Sequence, residues 1–507
     1  MQLAQSLGEC QGAATIATPQ TETSNGIKSA TNEIKRTKEA QFVSCTCMKN
    51  GNFSAKWACI LALPALTGAM SCSGSDKTDA PPTTAPDTTC SALKVPASLE
   101  LGEGRSQRIA LSSGTDTSSF RVDGQGGADG WLESKEGNAS LVLRAGYGDE
   151  AATVKLNCGA NGSTTVAITR KKMAWTKLSE WKGGTDGPLG REYFTFWQDQ
   201  GNPNRLFVFT GFHYVPKQYT PSNDLWSFDL ATKQWTELKP TGTIPAIAGS
   251  RLAPLANERG ALFFGGSLAT SDGSLNTPPL LKKLKYDDSS FSIEDAPNAS
   301  KAPGSYTGSF VYDAKRSRYL SICGADMRGA LSRGINCDMD AYTEAAGFSV
   351  VPTELNEEMN SRFGFHYALD TVNDRFVVFG GQYGNENLAI SADTWALELS
   401  ETTPRWVRLF EQDDSAMKRR NGAYVHDTDS NRMFVWGGTP NGSKSVKGIQ
   451  VLSLDRGHEV WTSLELPNGP HERTSGMALY DSVGKRLIMG FGNDDRVYTD
   501  LWQLSLP

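Results

Sequence analysis

The sequence predicts an all-β chain: a six-bladed β-propeller over residues 173–507, preceded by a small β-sandwich over residues 90–170. Three observations carry this reading. First, an apolar run closed by glycine recurs six times, ending at Gly211, Gly265, Gly324, Gly380, Gly437 and Gly490, so the interval stays between 53 and 59 residues. A period of that length marks stacked or circular repeats, in which each unit buries its apolar surface against its neighbours. Second, each unit reads as four short strands separated by glycine and polar turns, the pattern of one propeller blade. Third, the last unit stops at Pro507 without a fourth strand, while a spare one, Trp175-Thr-Lys-Leu178, stands ahead of the first unit. Joining the two closes the ring and leaves no sheet edge at the seam.

In chain order, Met48-Lys49 opens a secretory signal, so residues 1–47 are read as a non-native or disordered extension. The apolar core Trp57 to Met70 is too short to cross a bilayer comfortably and suits a signal segment, 48–72. Gly68, Ala69 and Ser71 lead into Cys72, which resembles the lipobox of bacterial lipoproteins, with Ala69 where leucine is usual. That resemblance implies lipidation of Cys72, a membrane attachment, and, with Ser73 following, the outer membrane of the cell envelope. Ordinary signal cleavage near Ala69 is the alternative. Residues 73–89, rich in Pro, Thr and small polar residues, cannot bury enough apolar surface to fold and form a tether.

Between residues 90 and 170, about six segments alternate apolar and polar residues, among them Gln107 to Leu111, Ala139 to Arg144 and Thr164 to Ile168. Their spacing predicts a small immunoglobulin-like sandwich acting as a spacer. Four cysteines follow Cys72. Cys90 and Cys158 fall at the first and fifth predicted strands, and Cys323 and Cys337 bracket one propeller loop, so Cys90–Cys158 and Cys323–Cys337 disulfides are expected in an exported chain. No C-x-x-C spacing offers a metal site.

One unit, residues 362–409, shows the blade. Phe363 to Leu369 is a first strand, Asp370 to Arg375 a polar turn, and Phe376 to Phe379 a second strand ended by Gly380-Gly381. Asp393 to Leu399 and Arg405 to Leu409 complete it. Double glycine after an apolar strand, then Asn223-Asp-Leu-Trp226 or Thr499-Asp-Leu-Trp502, then Trp235-Thr-Glu-Leu238 or Trp461-Thr-Ser-Leu464, resembles the kelch repeat. Blades two and three depart: Phe291 and Phe348 replace the fourth-strand tryptophan, and Cys323-Gly324-Ala325 replaces the double glycine.

Composition narrows function. A net charge of −6 over 507 residues gives no electrostatic case for nucleic acid. The five histidines show no metal-ligand spacing, and no phosphate loop or nucleophile elbow is present, so no cofactor, metal or catalytic residue is assigned. Asp427-Thr-Asp-Ser-Asn431 imitates the start of a calcium loop, but the same position holds Asp-x-x-x-x-Arg in other blades, which makes it a strand turn. A kelch-bearing class that oxidises galactose uses a copper ion, histidines, tyrosines and a tyrosine-bonded cysteine; His213-Tyr214 fits it, but the propeller cysteines are assigned to each other.

Five arginines, Arg191, Arg251, Arg362, Arg420 and Arg473, lie 14 to 20 residues before a closing glycine, with Ser305 or Lys301 in their place in blade three. They are expected to ring one channel mouth, beside His213, Tyr214 and Tyr383 and near Phe212 and Tyr219. Two roles fit: stitching neighbouring blades, or accepting an anionic ligand in the guanidinium fork. The expectation is a non-enzymatic, lipid-anchored propeller that binds a protein or glycan partner at the mouth. The resemblance implies an alternative, opening the ring of a sialic-acid-type sugar.

Overall fold

The computed structural model describes residues 90–507, apart from 113–114, 116, 136, 150, 160–161, 181–185, 216–217, 270–274, 329–332, 355, 385–388, 412–413 and 443. The extension 1–47, the signal segment with Cys72, and the tether 73–89 lie outside the described residues. No described helix is long and apolar enough to cross a membrane.

Within residues 173–507 the described strands form six four-stranded antiparallel sheets. Blade four is typical: His366–Asp370, Arg375–Phe379, Thr394–Glu398 and Arg405–Phe410, hydrogen-bonded in that order. Each second strand lies between flanking blades, so both its faces are covered. That is why Gly260–Phe264, Arg375–Phe379 and Arg432–Trp436 are buried at every residue and read as unbroken apolar runs. Outer strands such as Gln234–Leu238 face solvent and keep only Trp235 and Leu238 partly covered. The double glycine has a steric cause: a Cβ on Gly380, whose φ is 64°, would stand 2.6 Å from the Arg419 carbonyl oxygen of the next blade.

The ring closes as expected. Trp175–Ser179 is the fourth strand of the sheet that holds Met477–Asp481, Arg486–Gly490 and Leu501–Ser505, with Leu504 opposite Trp175 and Trp502 opposite Lys177. A second, independent closure runs through the backbone. The amide of Gly249 donates to Tyr193, Thr307 to Gly249, Gly364 to Thr307, Asn421 to Gly364, Ser475 to Asn421 and Tyr193 to Ser475, at 2.6–3.3 Å. This six-membered cycle takes one residue from each blade and frames one mouth of the channel. All six residues have left-handed φ, between 47° and 74°.

Blades two and three absorb their departures by packing. Phe291 stacks on Tyr286, and Phe348 fills the fourth-strand position against Tyr342 and Phe264. At Cys323 (φ 57°) a bulge interrupts the pairing of Arg318–Asp326 with Gly334–Thr343, and the Cys323–Cys337 disulfide spans it. Asp427 accepts the amides of Asp429 and Ser430 and pairs with Arg432, so this segment is a turn.

The sandwich has two sheets, of four and three strands, around Phe120, Leu141, Leu143, Val154, Leu156 and Val166. Two details correct the sequence reading. A strand not foreseen, Asp129–Lys135, carries the buried Trp131. Cys90 lies in a 3-10 turn, Cys90–Leu93, and reaches Cys158 at the end of the sixth strand rather than the fifth. The sandwich is also docked rather than merely tethered. Arg432 Nη1 donates to the Glu103 carbonyl, Arg144 Nη1 to Ser453 Oγ and the His458 carbonyl, and Arg105 to the Leu506 and Pro507 carbonyls. Trp131 stacks on His458 with ring centroids 4.2 Å apart.

Candidate functional site at the channel mouth

The short segments that lead into the innermost strands build the mouth, and they set the register of the arginines. In blades one, four, five and six an arginine stands two residues before the left-handed ring residue: Arg191, Arg362, Arg419 and Arg473. The first, second and fourth are fully buried and share one arrangement. Arg362 Nε donates to the Asn360 carbonyl, Nη1 to the Gly380 carbonyl, and both Nη atoms to Asp393 at 2.6 and 3.2 Å. Asp393 also accepts the Trp395 indole N–H at 2.8 Å. Arg191 with Asp224 and Trp226, and Arg473 with Asp500 and Trp502, repeat it. Burial pushes these three carboxyls up, but the arginine fork and its charge pull them further down, so each is held below the usual range.

The expected collar is therefore corrected. Arg191, Arg362 and Arg473 are spent inside their own blades and present no fork to the channel. Stitching between blades is done within the collar by Arg251, which donates to the Gly308 carbonyl of blade three, and otherwise by arginines at the opposite ends of the strands. Arg259 of blade two reaches Asp199 of blade one, Arg316 of blade three reaches Asp374 of blade four, and Arg375 of blade four reaches Glu459 of blade five.

Arg419, not Arg420, is the blade-five counterpart. Its position lacks the aspartate, since Gly448 holds the place of Asp393 in the sheet register. Arg419 donates only to the carbonyls of Ala416, Met417 and Gly437, and burial lowers its pKa to about 10. Arg420, one residue on, stands at the rim with its Cβ beside Gly364 of the ring and Nη2 beside Gly442. Its side chain has no hydrogen-bond or ion-pair partner among the described residues, and its Nε is buried unpaired.

Arg251 lies two residues after its ring residue, within the channel. It donates to the Gly308 and Ser250 carbonyls. The Tyr424, Tyr367 and Tyr306 phenols lie in its electrostatic reach. With Tyr193, Asn421, Tyr424 and Ser475 it lines a cavity of about 20 Å³. Burial drives the Tyr306 and Tyr424 phenols well above their ordinary pKa, so both are neutral hydroxyls.

Residues that sequence reasoning missed complete the mouth. The Asn421 amide donates to Tyr193 Oη at 2.9 Å. Thr307 Oγ1 and Ser475 Oγ, both ring residues, are buried without partners among the described residues. Glu192, 6% exposed beside the ring, accepts the Asn493 amide. Of the expected aromatic residues, Phe212 is buried in a hairpin, Tyr383 pairs in register with Arg362, and the side chains of Tyr214 and Tyr219 lie outside the described residues. His213 Nδ1 meets Ser222 Oγ at 2.9 Å, and burial, reinforced by the Arg191 charge, lowers its pKa. No group of three or more His, Cys, Asp or Glu able to hold a metal occurs among the described residues.

No protein-family model matches the chain. Solved structures similar to it include these two. One, described as the structure of YjhT, is 13% identical and covers 62% of this chain and 95% of its own, with a TM-score of 0.44. The other, a novel fungal alcohol oxidase of the AA5 family in complex with copper, is 13% identical and covers 65% of this chain and 77% of its own, with a TM-score of 0.45.

Proposed function

We propose that this chain is a non-enzymatic binding module of the bacterial cell envelope, anchored through Cys72 and engaging a protein or glycan at the ring-framed mouth. The observation that carries the reading is Arg420, a rim guanidinium with no protein partner among the described residues. A cation without a partner fits a ligand that brings a carboxylate. The left-handed backbone at Tyr193, Thr307 and Ser475 supports it, because such strain concentrates where a surface is pre-organised for ligand. The anchor rests on the Cys72 sequence and the outer-membrane address on Ser73, while the two disulfides agree with an extracytoplasmic location.

A second reading, ring opening of a sialic-acid-type sugar at the same mouth, draws on Glu192. The sequence showed no carboxylate there; Glu192 is one, held beside the ring by the Asn493 amide, and its charge adds to the burial that keeps the Tyr306 phenol neutral.

A glycan array probed with the wild type and Arg420→Ala tests the first reading. The variant is expected to lose at least tenfold in binding with its melting temperature unchanged. An Arg420→Ala protein that binds like the wild type overturns it; a wild type that binds no glycan removes the glycan and leaves a protein as the partner. Anomer exchange followed by NMR separates the second reading, since only turnover supports it.

A further inference from the structure

The seam where the ring closes contains a cavity of about 180 Å³ between blades five and six. Trp175 of the closing strand and Trp436 form its aromatic walls, with ring centroids 6.4 Å apart and planes at 56°.

The equivalent seam between blades four and five is filled. There Trp461 donates its indole N–H to Thr394 Oγ1 at 3.0 Å and packs on Phe379 at 4.4 Å. In the register of the fifth blade, Ile449 replaces Thr394 and Gly448 replaces Asp393. The hydroxyl acceptor and the carboxylate side chain are both gone, and the space opens between the indoles. Neither Trp175 nor Trp436 has a hydrogen-bond partner for its indole N–H among the described residues.

Glu465 and Glu472 stand at the edge of this cavity. Neither carboxylate forms an ion pair among the described residues, and one lysine, Lys447, shares the lining, so the site is net negative. Trp436 already serves as a platform for a cation, with the Arg473 guanidinium 5.2 Å from its ring centroid. An engineered cavity of about 150 Å³ accommodates benzene, so this one has room for a trimethylammonium group.

We propose that this seam binds a small organic ammonium ion, its methyl groups against the two indoles and its charge facing Glu465 and Glu472. Indole faces attract cations through the ring quadrupole, and the attraction grows when the ion is desolvated, as it is between two rings. The carboxylates distinguish a cation from a neutral molecule of the same shape.

The test is a titration of the full chain with choline chloride, followed by tryptophan fluorescence at constant ionic strength. Sodium chloride serves as the ionic control and 3,3-dimethylbutanol as the uncharged isostere. The wild type is expected to give a saturable change with choline and at least tenfold weaker binding of the isostere. Glu465→Gln/Glu472→Gln is expected to weaken choline binding at least tenfold at an unchanged melting temperature. Absence of a saturable response, equal binding of the isostere, or full choline affinity in the glutamine variant each overturns the proposal. The isostere comparison needs no variant, and Arg420 does not line this cavity, so its failure leaves the Arg420 result standing.

Discussion

His366 shows how far one side chain can tie the blades to pH. It is fully buried; its Nε2 accepts the Gly422 amide of the next blade at 2.9 Å, while Nδ1 lies 3.1 Å from the Phe379 carbonyl. Those partners fix the neutral ring with the proton on Nδ1, and burial, reinforced by the Arg419 charge, lowers its pKa to about 3. Because the folded pKa is depressed, the unfolded chain takes up this proton first. The stability His366 provides is present above pH 6.5 and drains away as pH falls from 6.5 toward 3, by about 1.4 kcal/mol per pH unit. His426 is shifted the same way and adds to the slope, so the readout is a difference between proteins. Denaturant unfolding of His366→Gln between pH 4 and 6.5 is expected to show a flatter decline than the wild type; parallel declines would contradict the assignment. For the arginines, Arg362→Ala removes a fully buried guanidinium and leaves the partly buried Asp393 beside Trp395 without its counter-charge, and should cost about 3 kcal/mol in the same assay. A loss below 1 kcal/mol would mean the pair is dispensable. Ser475, with φ 54° in the ring, is expected to gain about 1 kcal/mol on Ser475→Gly, since glycine adopts that conformation without strain.

At the level of elements, the sequence made legible whatever the fold buries on two faces. The second strands had to be continuously apolar, so their period counted the blades. The spare Trp175 strand and the pairing of cysteines were equally visible, because each answered a deficit elsewhere in the chain. The mouth was not visible for a physical reason. Its register is set by six left-handed residues, and only Gly249, Gly364 and Asn421 are of types that favour that backbone. Tyr193, Thr307 and Ser475 adopt it through the hydrogen-bonded cycle, a tertiary effect without local signature. Counting back from the closing glycines instead, through loops of unequal length, placed Arg420 where Arg419 belongs and grouped Arg251 with residues four positions away. Glu192 was missed with them. The strand containing Trp131 escaped because Gly130 and Glu133 break its apolar alternation. Among these elements the Cys90–Cys158 bridge spans 68 residues. Loop-entropy arguments give about 4 kcal/mol for such a link. Cys90→Ser/Cys158→Ser should lose about that much stability in the sandwich, measured by thermal unfolding of the two proteins under non-reducing conditions; an unchanged transition would count against it.

For the whole molecule, closure positions everything else. The innermost strands form a ring only if the last blade receives its outer strand from the segment that leads into the first. The Trp175 wall of the seam cavity depends on that join, while the hydrogen-bonded cycle closes the ring separately at the mouth. The sandwich leans on the same region, through Arg105 on the Leu506 and Pro507 carbonyls and Arg432 on Glu103, so the chain end is held from two sides. Thr176 and Gln503 face each other across the closing pair. Cysteines at directly opposed strand positions fall within the Cα separation that a disulfide spans. The most direct measurement is therefore oxidation of Thr176→Cys/Gln503→Cys, followed by non-reducing peptide mapping and denaturant unfolding. A closed ring predicts a spontaneous intramolecular link in a monomer with a raised unfolding midpoint; two free thiols, or a link formed only between molecules, would contradict it.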